Sequence, residues 1–242
     1  MTAHPQVSII IPAWNEGGWI GRTLEAVNAA RARQPEPSEV IVVDNASTDD
    51  TAAIAEAAGA RVVFEPEQRI ARARNAGAAA ARGEWLIFVD ADTWPDGPLL
   101  QATLTALGSG QVCGGGARIR FDRLSLSAYR LGMMAWNALS SRLGLAAGCY
   151  LFCTRDAFER VGGFTEKVYA GEEVFLSRRL ARDGRHRGQV FHILDDPPVL
   201  TSGRKTEWFG PWQHLLMTLV VLLVPFALRS RRLSWFWYRR PK

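Results

Sequence analysis

Along the first hundred residues, short continuous apolar runs alternate with longer stretches in which apolar positions recur every three or four residues. The runs VSIII (7–11), EVIVVD (39–44), ARVVFE (60–65) and EWLIFVD (84–90) have the length and the Val/Ile content of strands. The stretches 19–32, 48–59 and 69–83 have helical spacing. The second of these has Ser47 or Thr48 in the N-cap place, acids in its first turn, and Gly59 where a left-handed residue ends a helix. A strand that is apolar at every position, rather than at alternate ones, is covered on both faces.

Strands of that kind in strict alternation with helices predict a Rossmann-like α/β unit with a mostly parallel central sheet and helices on both faces. The second half is less regular. VCGGGARIRF (112–121) reads as a strand whose glycines admit a close backbone approach to a ligand, or a bulge. Residues 124–143 read as a helix carrying Met133, Met134 and Trp136, which either pack in the core or floor an acceptor pocket. A strand (148–154), a short helix beginning RDAFER, an amphipathic helix (171–184) with Gly184 past its end, and a last strand (187–193) complete the pattern. No internal repeat or low-complexity linker interrupts it.

The C-terminal stretch differs in kind. Residues 215–228 are fourteen positions without a charge and with one hydroxyl, Thr218. That is short of the roughly 20 residues a spanning helix needs, and Pro225 lies within it. RSRRLSWFWYRRPK (229–242) then interleaves aromatics with arginines, as suits an interface with anionic lipid. Residues 206–242 are therefore expected to form an apolar C-terminal helical segment lying on a membrane surface, with a core helix or a dimer contact as the competing uses.

The net charge of +5 belongs to this tail. Residues 229–242 hold six basic residues and no acid, against 23 basic and 24 acidic elsewhere, so no nucleic-acid partner is expected. MTAHPQ lacks the apolar core of a signal peptide, and three cysteines make no disulfide framework. Buried free thiols in a cytoplasmic protein are the expectation.

Candidate chemistry gathers where the strands end, the edge at which open α/β sheets bind ligands. Pro12, Trp14, Asn15 and Glu16 follow the first strand, and Asp44 and Asn45 end the second. Arg69, Arg72, Arg74 and Asn75 follow the third, while Asp90, Ala91 and Asp92 follow the fourth. Two carboxylates one residue apart repel each other unless they are solvated or share a cation. No GxGxxG follows the first strand and no GxxxxGK[ST] occurs, which excludes the usual dinucleotide fingerprint and the P-loop. Mg²⁺ or Mn²⁺ held by one or two carboxylates and the oxygens of a diphosphate would relieve the repulsion.

Four ordered segments make the pattern specific: VSIIIPAWNEGGWIGRTLEAV, EVIVVDNASTDDT, ARNAGAAAARGEWLIFVDADT and VGGFTEKVYAGEEVFLSRRL. Over roughly residues 5–205 the chain resembles the family 2 glycosyltransferases of GT-A fold, with a nucleotide-sugar half (about 1–95) and an acceptor half (about 96–205). The resemblance implies that Pro12, Trp14, Asn15 and Glu16 cradle base and ribose. Asp44, with Asn45 beside it, meets the base, Arg74 and Asn75 lie near base and phosphates, and Asp90-Ala91-Asp92 hold ribose, metal and diphosphate. It places the metal, Mg²⁺ or Mn²⁺, on Asp92 and Asp90. Glu172-Glu173 matches an acidic pair whose second member deprotonates the acceptor. Here Glu stands where Asp is usual, so the base is Glu173 or, with some shift, Glu172, and Glu173 is favoured. Arg204 reaches the diphosphate or is an exposed loop charge. His192 completes a metal site or, the better reading, is merely packed or solvated.

The implied activity is inverting, metal-dependent transfer from a nucleotide-diphosphate sugar, UDP first among the nucleotides, at the inner face of the cell membrane. The acceptor is unidentified. Two other readings stand beside it. A nucleotidyltransferase on a similar fold lacks support, since PAWNEGGW has no basic residue. A non-catalytic nucleotide-sugar binder or membrane-bound partner subunit would have no need of the acidic pair.

Overall fold

The structure, a computed structural model, describes residues 4–124, 127–208, 213, 228–230, 232 and 234. Four strands, β1 (Val7–Ala13), β2 (Ser38–Asp44), β3 (Arg61–Phe64) and β4 (Trp85–Val89), alternate with α1 (Gly17–Arg31), α2 (Thr51–Ala57) and α3 (Ile70–Ala80). Then follow β5 (Thr93–Trp94), α4 (Gly97–Gly108), β6 (Val112–Phe121), α5 (Ser127–Leu143), β7 (Tyr150–Thr154), α6 (Arg155–Arg160), α7 (Glu172–His186), β8 (Val190–Thr201) and α8 (Lys205–Trp208).

All eight strands form one mixed sheet in the order β3-β2-β1-β4-β7-β6-β8-β5. The first four are mutually parallel, and β1, β2 and β4 are buried along most of their length as expected, whereas β3, at the sheet edge, leaves Arg61 and Phe64 exposed. β7 enters antiparallel between β4 and β6, β8 runs parallel to β6, and β5 returns antiparallel on β8. Both halves of the chain therefore share one sheet. Because successive side chains leave a strand on opposite faces, β1 feeds two cores. Ile9 and Ile11 pack with Leu24 of α1, Ala55 of α2 and Leu104 of α4. Ile10 packs with Ala73 of α3, Phe158 of α6 and Leu176 of α7.

Three local expectations change. The N-cap of α2 is Asp50 rather than Ser47 or Thr48, and its first turn holds no acid; Ser47 and Thr48 bond to Asn15 instead. Helix α7 runs past Gly184 to His186. Gly184 is buried where a Cβ would stand 2.6 Å from Cys113 Sγ, so it serves packing rather than termination. In β6 the glycines meet neighbouring strands: a Cβ on Gly115 would collide with the carbonyl of His192 on β8, and the ladder shifts register between Val112 and Gly114. Cys113 and Cys153 are buried and Cys149 half-buried, all free, and burial pushes each thiol up.

Met133 and Trp136 are half-buried on α5, whereas Met134 is exposed, so the core reading fails for Met134. The expected apolar C-terminal helical segment falls almost wholly outside the described residues. Leu228, which ends the uncharged run 215–228, packs on Val168 and Ala170, and its carbonyl accepts from Tyr169 N at 2.6 Å. Among the described residues no helix is long and apolar enough to cross a membrane.

Candidate active site

The order β3-β2-β1-β4 puts the topological switch between β1 and β4, where an open sheet leaves a crevice beyond its strand ends. The loop after β1 is fixed by side chains rather than by bulk. Asn15 sits at φ 50°, in the left-handed region that Asn tolerates. Its backbone N–H donates to Ser47 Oγ at 2.9 Å, and its Oδ1 accepts from Thr48 N at 2.7 Å. Glu16 N donates to Thr51 Oγ1 at 2.8 Å. The loops after β1 and β2 are thus one unit, with Trp14 half-buried in it and Pro12 on the buried strand before it. Asp44, also buried, accepts from Ser47 N at 3.0 Å.

The acidic pair after β4 is divided between two arginines. Asp90 belongs to Arg74, which rises from the second turn of α3 and is almost wholly buried. Arg74 Nη2 meets Asp90 Oδ1 at 2.8 Å and donates to the Gly148 carbonyl at 2.7 Å, while Nη1 meets Glu172 Oε1 at 2.6 Å. Its guanidinium also lies 5.3 Å from the centroid of Phe164. Asp92 belongs to Arg204, which follows β8: Nε stands 2.8 Å from Asp92 Oδ2. The same guanidinium is bidentate on Glu16, Nη1 to Oε2 and Nη2 to Oε1 both at 2.7 Å, a planar fork matched to a carboxylate. Trp19 and Trp208 flank it, with centroids at 5.3 and 5.0 Å. Burial nevertheless pushes Asp92 up to about 6, with Arg204 opposing the shift.

Between these clusters Glu172 and Glu173 open α7. Burial raises both carboxyls above their ordinary value. They differ in commitment. Glu172 is buried against Arg74 in a salt bridge, whereas Glu173 is half-buried, makes no salt bridge among the described residues, and is held by its own backbone N–H and the nearby charge of Arg74. Gly148 makes the room: a Cβ there would lie 3.3 Å from Arg74 Nη2 and 3.4 Å from Glu173 Cδ. A half-buried carboxyl raised by burial and free of any salt bridge has the chemistry a general base needs.

The carboxylates of Asp90 and Asp92 suit a divalent ion. Each arginine occupies one oxygen, Oδ1 of Asp90 and Oδ2 of Asp92, and hard cations accept one or two carboxylates when phosphate and water supply the rest. Among the described residues no group of three or more His, Cys, Asp or Glu side chains is arranged to hold a metal unaided. His192 is exposed within β8, opposite Gly115, and is solvated rather than gathered with the acids.

Asn75 and Asn45 are committed elsewhere. Asn75 Nδ2 donates to the Phe164 carbonyl at 2.9 Å and to Glu166 Oε1 at 3.0 Å, and its Oδ1 accepts from Phe164 N at 2.9 Å. Asn45 Nδ2 ties to the carbonyls of Glu65 and Glu67. Ala91 is buried, and its carbonyl accepts from Thr23 Oγ1 of α1 at 2.7 Å. Arg69 and Arg72 pair with Glu67, Glu65 and Glu166 at the flank of α3. Sequence reasoning missed Trp19, Trp208 and the pairing of Arg204 with Glu16. The exposed-loop alternative for Arg204 fails, since the side chain is buried.

Residues 8–162 match the family model described as "Glycosyl transferase family 2". The glycosyltransferase AglE of Haloferax volcanii is 30% identical over 192 residues, 74% of this chain and 62% of its own length. Among solved structures, the mannosyltransferase PcManGT of Pyrobaculum calidifontis, in complex with GDP-Man and Mn²⁺, superposes with a TM-score of 0.68 at 23% identity, over 95% of this chain and 66% of that one. Glucosyl-3-phosphoglycerate synthase of Mycobacterium tuberculosis, bound to Mn²⁺, UDP and glucosyl-3-phosphoglycerate, gives 0.61 at 21% identity, over 90% and 80%. The chain thus shares its fold with both and spans under two thirds of AglE.

Proposed function

Because the chain belongs to glycosyl transferase family 2, we propose that it transfers a sugar, with inversion, from a nucleotide-diphosphate sugar to a hydroxyl or phosphate acceptor. UDP is the first candidate for the nucleotide. One observation carries the reading: Glu173 is half-buried at the start of α7, its carboxyl is raised by burial, and it makes no salt bridge among the described residues beside the paired charges of Arg74, Asp90 and Glu172. For a hydroxyl acceptor, Glu173 takes the proton as the acceptor oxygen bonds to the anomeric carbon. The bond from that carbon to the nucleotide diphosphate breaks on the opposite face, and the configuration inverts. A carboxyl raised by burial serves this step better than an ordinary one, because it is the stronger base.

The other groups position and bind. Glu172 holds Arg74, and Arg74 orients Asp90 and the Gly148 carbonyl. Asp90 and Asp92 would hold Mg²⁺ or Mn²⁺, which when bound offsets the negative charge developing on the leaving diphosphate. The linked loops after β1 and β2, with Pro12, Trp14, Asn15, Glu16 and Asp44, are the receptor for base and ribose, and Arg204 stands on the diphosphate side. The Mn²⁺ complexes of the mannosyltransferase and the synthase support the donor class and the ion. The basic, aromatic tail attaches the protein to anionic lipid at the inner face of the cell membrane.

The proposal is testable without an acceptor. The protein is incubated with UDP-α-glucose or GDP-α-mannose and Mn²⁺, and the anomeric proton of the sugar released to water is followed by NMR. Inversion delivers the β-anomer first. Release of the α-anomer first, or no release from any nucleotide sugar tried, would sink it.

A further inference from the structure

Helix α5 is bonded to the protein through polar groups, with Met133 and Trp136 half-buried beside them, and it turns four other large apolar side chains toward solvent. On its inner side Asn137 pairs with both the N–H and the carbonyl of Ile119, at 3.0 and 2.9 Å. Ser140 donates to the Leu145 carbonyl at 2.7 Å, and Ser141 bonds Asp195 at 3.0 Å. On its outer side Leu131 is 70% exposed, Met134 59%, Leu139 47% and Leu143 57%. These are four of the seven large hydrophobic side chains most exposed among the described residues. A helix held to its protein by polar bonds gains nothing from leaving that face in water, and such a surface marks a partner.

We propose that the outer face of α5 is a docking surface for an anionic lipid bilayer. Charge selects this occupant. The helix holds Arg130 and Arg142, both exposed, and no acid. The acid that reaches it, Asp195, is bonded to Ser141 and ion-paired with Arg118 at 2.9 Å. A second copy stacked face to face would oppose arginine to arginine, and the tail 229–242, with six basic residues and no acid, repels the helix in the same way. Apolar side chains flanked by arginines instead match headgroups of negative charge above acyl chains. The surface is distinct from the C-terminal tail and stands without the catalytic assignment. Residues 144–147 join α5 to Gly148, so docking would tether the Arg74 cluster to the membrane by four residues.

The test uses the full chain with vesicles of phosphatidylcholine alone or mixed with phosphatidylglycerol, and reads partition by flotation, independently of any transferase activity. Leu131→Gln/Met134→Gln and Arg130→Gln/Arg142→Gln are each expected to weaken binding to the anionic vesicles by about tenfold. All four side chains are solvent-facing, and circular dichroism checks that the helix survives. An environment-sensitive dye on Met134→Cys should shift to the blue only with anionic vesicles. Partition unchanged in both double variants would overturn the proposal. So would a dye already blue-shifted without lipid, meaning the chain's own tail covers the helix, or shifted by raising protein concentration alone, meaning a second copy does.

Discussion

Two arginines divide the acidic turn, and they are held in different ways. Arg74 comes from a core helix, is surrounded by Asp90, Glu172, the Gly148 carbonyl and the Phe164 ring, and draws partners from four separate parts of the chain. Arg204 comes from the short link between β8 and α8 and rests between two tryptophans on Glu16 and Asp92. The first is a fixed post whose removal would strand charges inside the protein. The second stands at the end of the sheet, and both carboxylates it pairs with, Glu16 and Asp92, are residues proposed to bind the donor. A cluster built from the core sets geometry, whereas one built from a terminal link can respond to ligand.

The largest effect should come from the fixed post. Arg74→Met leaves Glu172 and Asp90 facing each other without compensation, and breaking a buried ion pair in this way costs about 3–5 kcal/mol. Urea denaturation measures it, and a loss under 1 kcal/mol would show that Arg74 is no post. Arg204→Met should cost less, about 2 kcal/mol, since charged hydrogen bonds to Glu16 are lost in a pair somewhat less deeply buried than Arg74 and Glu172. Its distinguishing effect is weaker binding of nucleoside diphosphate by calorimetry, which a purely structural arginine would not show.

Asn75→Ala sharpens the contrast from the other side of α3. Asn75 ties down the loop at Phe164, so the variant should lose about 1–2 kcal/mol of stability and leave nucleotide affinity unchanged. A drop in affinity at intact stability would return Asn75 to the donor site. The smallest effect concerns pH. Asp92 titrates in the metal-free fold at about 6 against an ordinary 3.8, so between those values the folded state binds more protons than the unfolded one. Stability in chelator therefore falls as pH rises through that window, and Asp92→Asn should remove most of the fall. A steeper fall in the variant would contradict the assignment.

Much of this was legible in the chain itself. The short apolar runs within 7–11, 39–44 and 85–89 read as strands covered twice, and β1, β2 and β4 are buried in that way, whereas the edge strand β3 is not. The acids at 90 and 92 announced a cation, but a one-dimensional pattern cannot say that Arg74 and Arg204, 130 residues apart, each supply one. Arg204 looked ambiguous because a basic loop reads alike whether it is solvated or buried; only the sheet that brings β8 beside β6 decides. Gly184 misled because a glycine past an apolar face signals a helix end, and the Cys113 sulfur that demands a small residue lies on another strand. Asn75 followed Arg74 in sequence and was read with it, yet one residue along a helix turns the side chain by about 100° toward a different loop.

The central claim is that Glu173, and not its neighbour, takes the proton in a donor site organised by Arg74 and Arg204. The direct measurement is binding and turnover of Glu173→Gln beside wild type, with UDP or GDP and Mn²⁺ in the calorimeter and release of the matching nucleotide from its sugar conjugate as the rate. The account predicts equal nucleotide affinity, unchanged stability and a rate lower by about 10²–10⁴. Turnover equal to wild type, or no nucleotide bound by either protein in Mn²⁺, would contradict it.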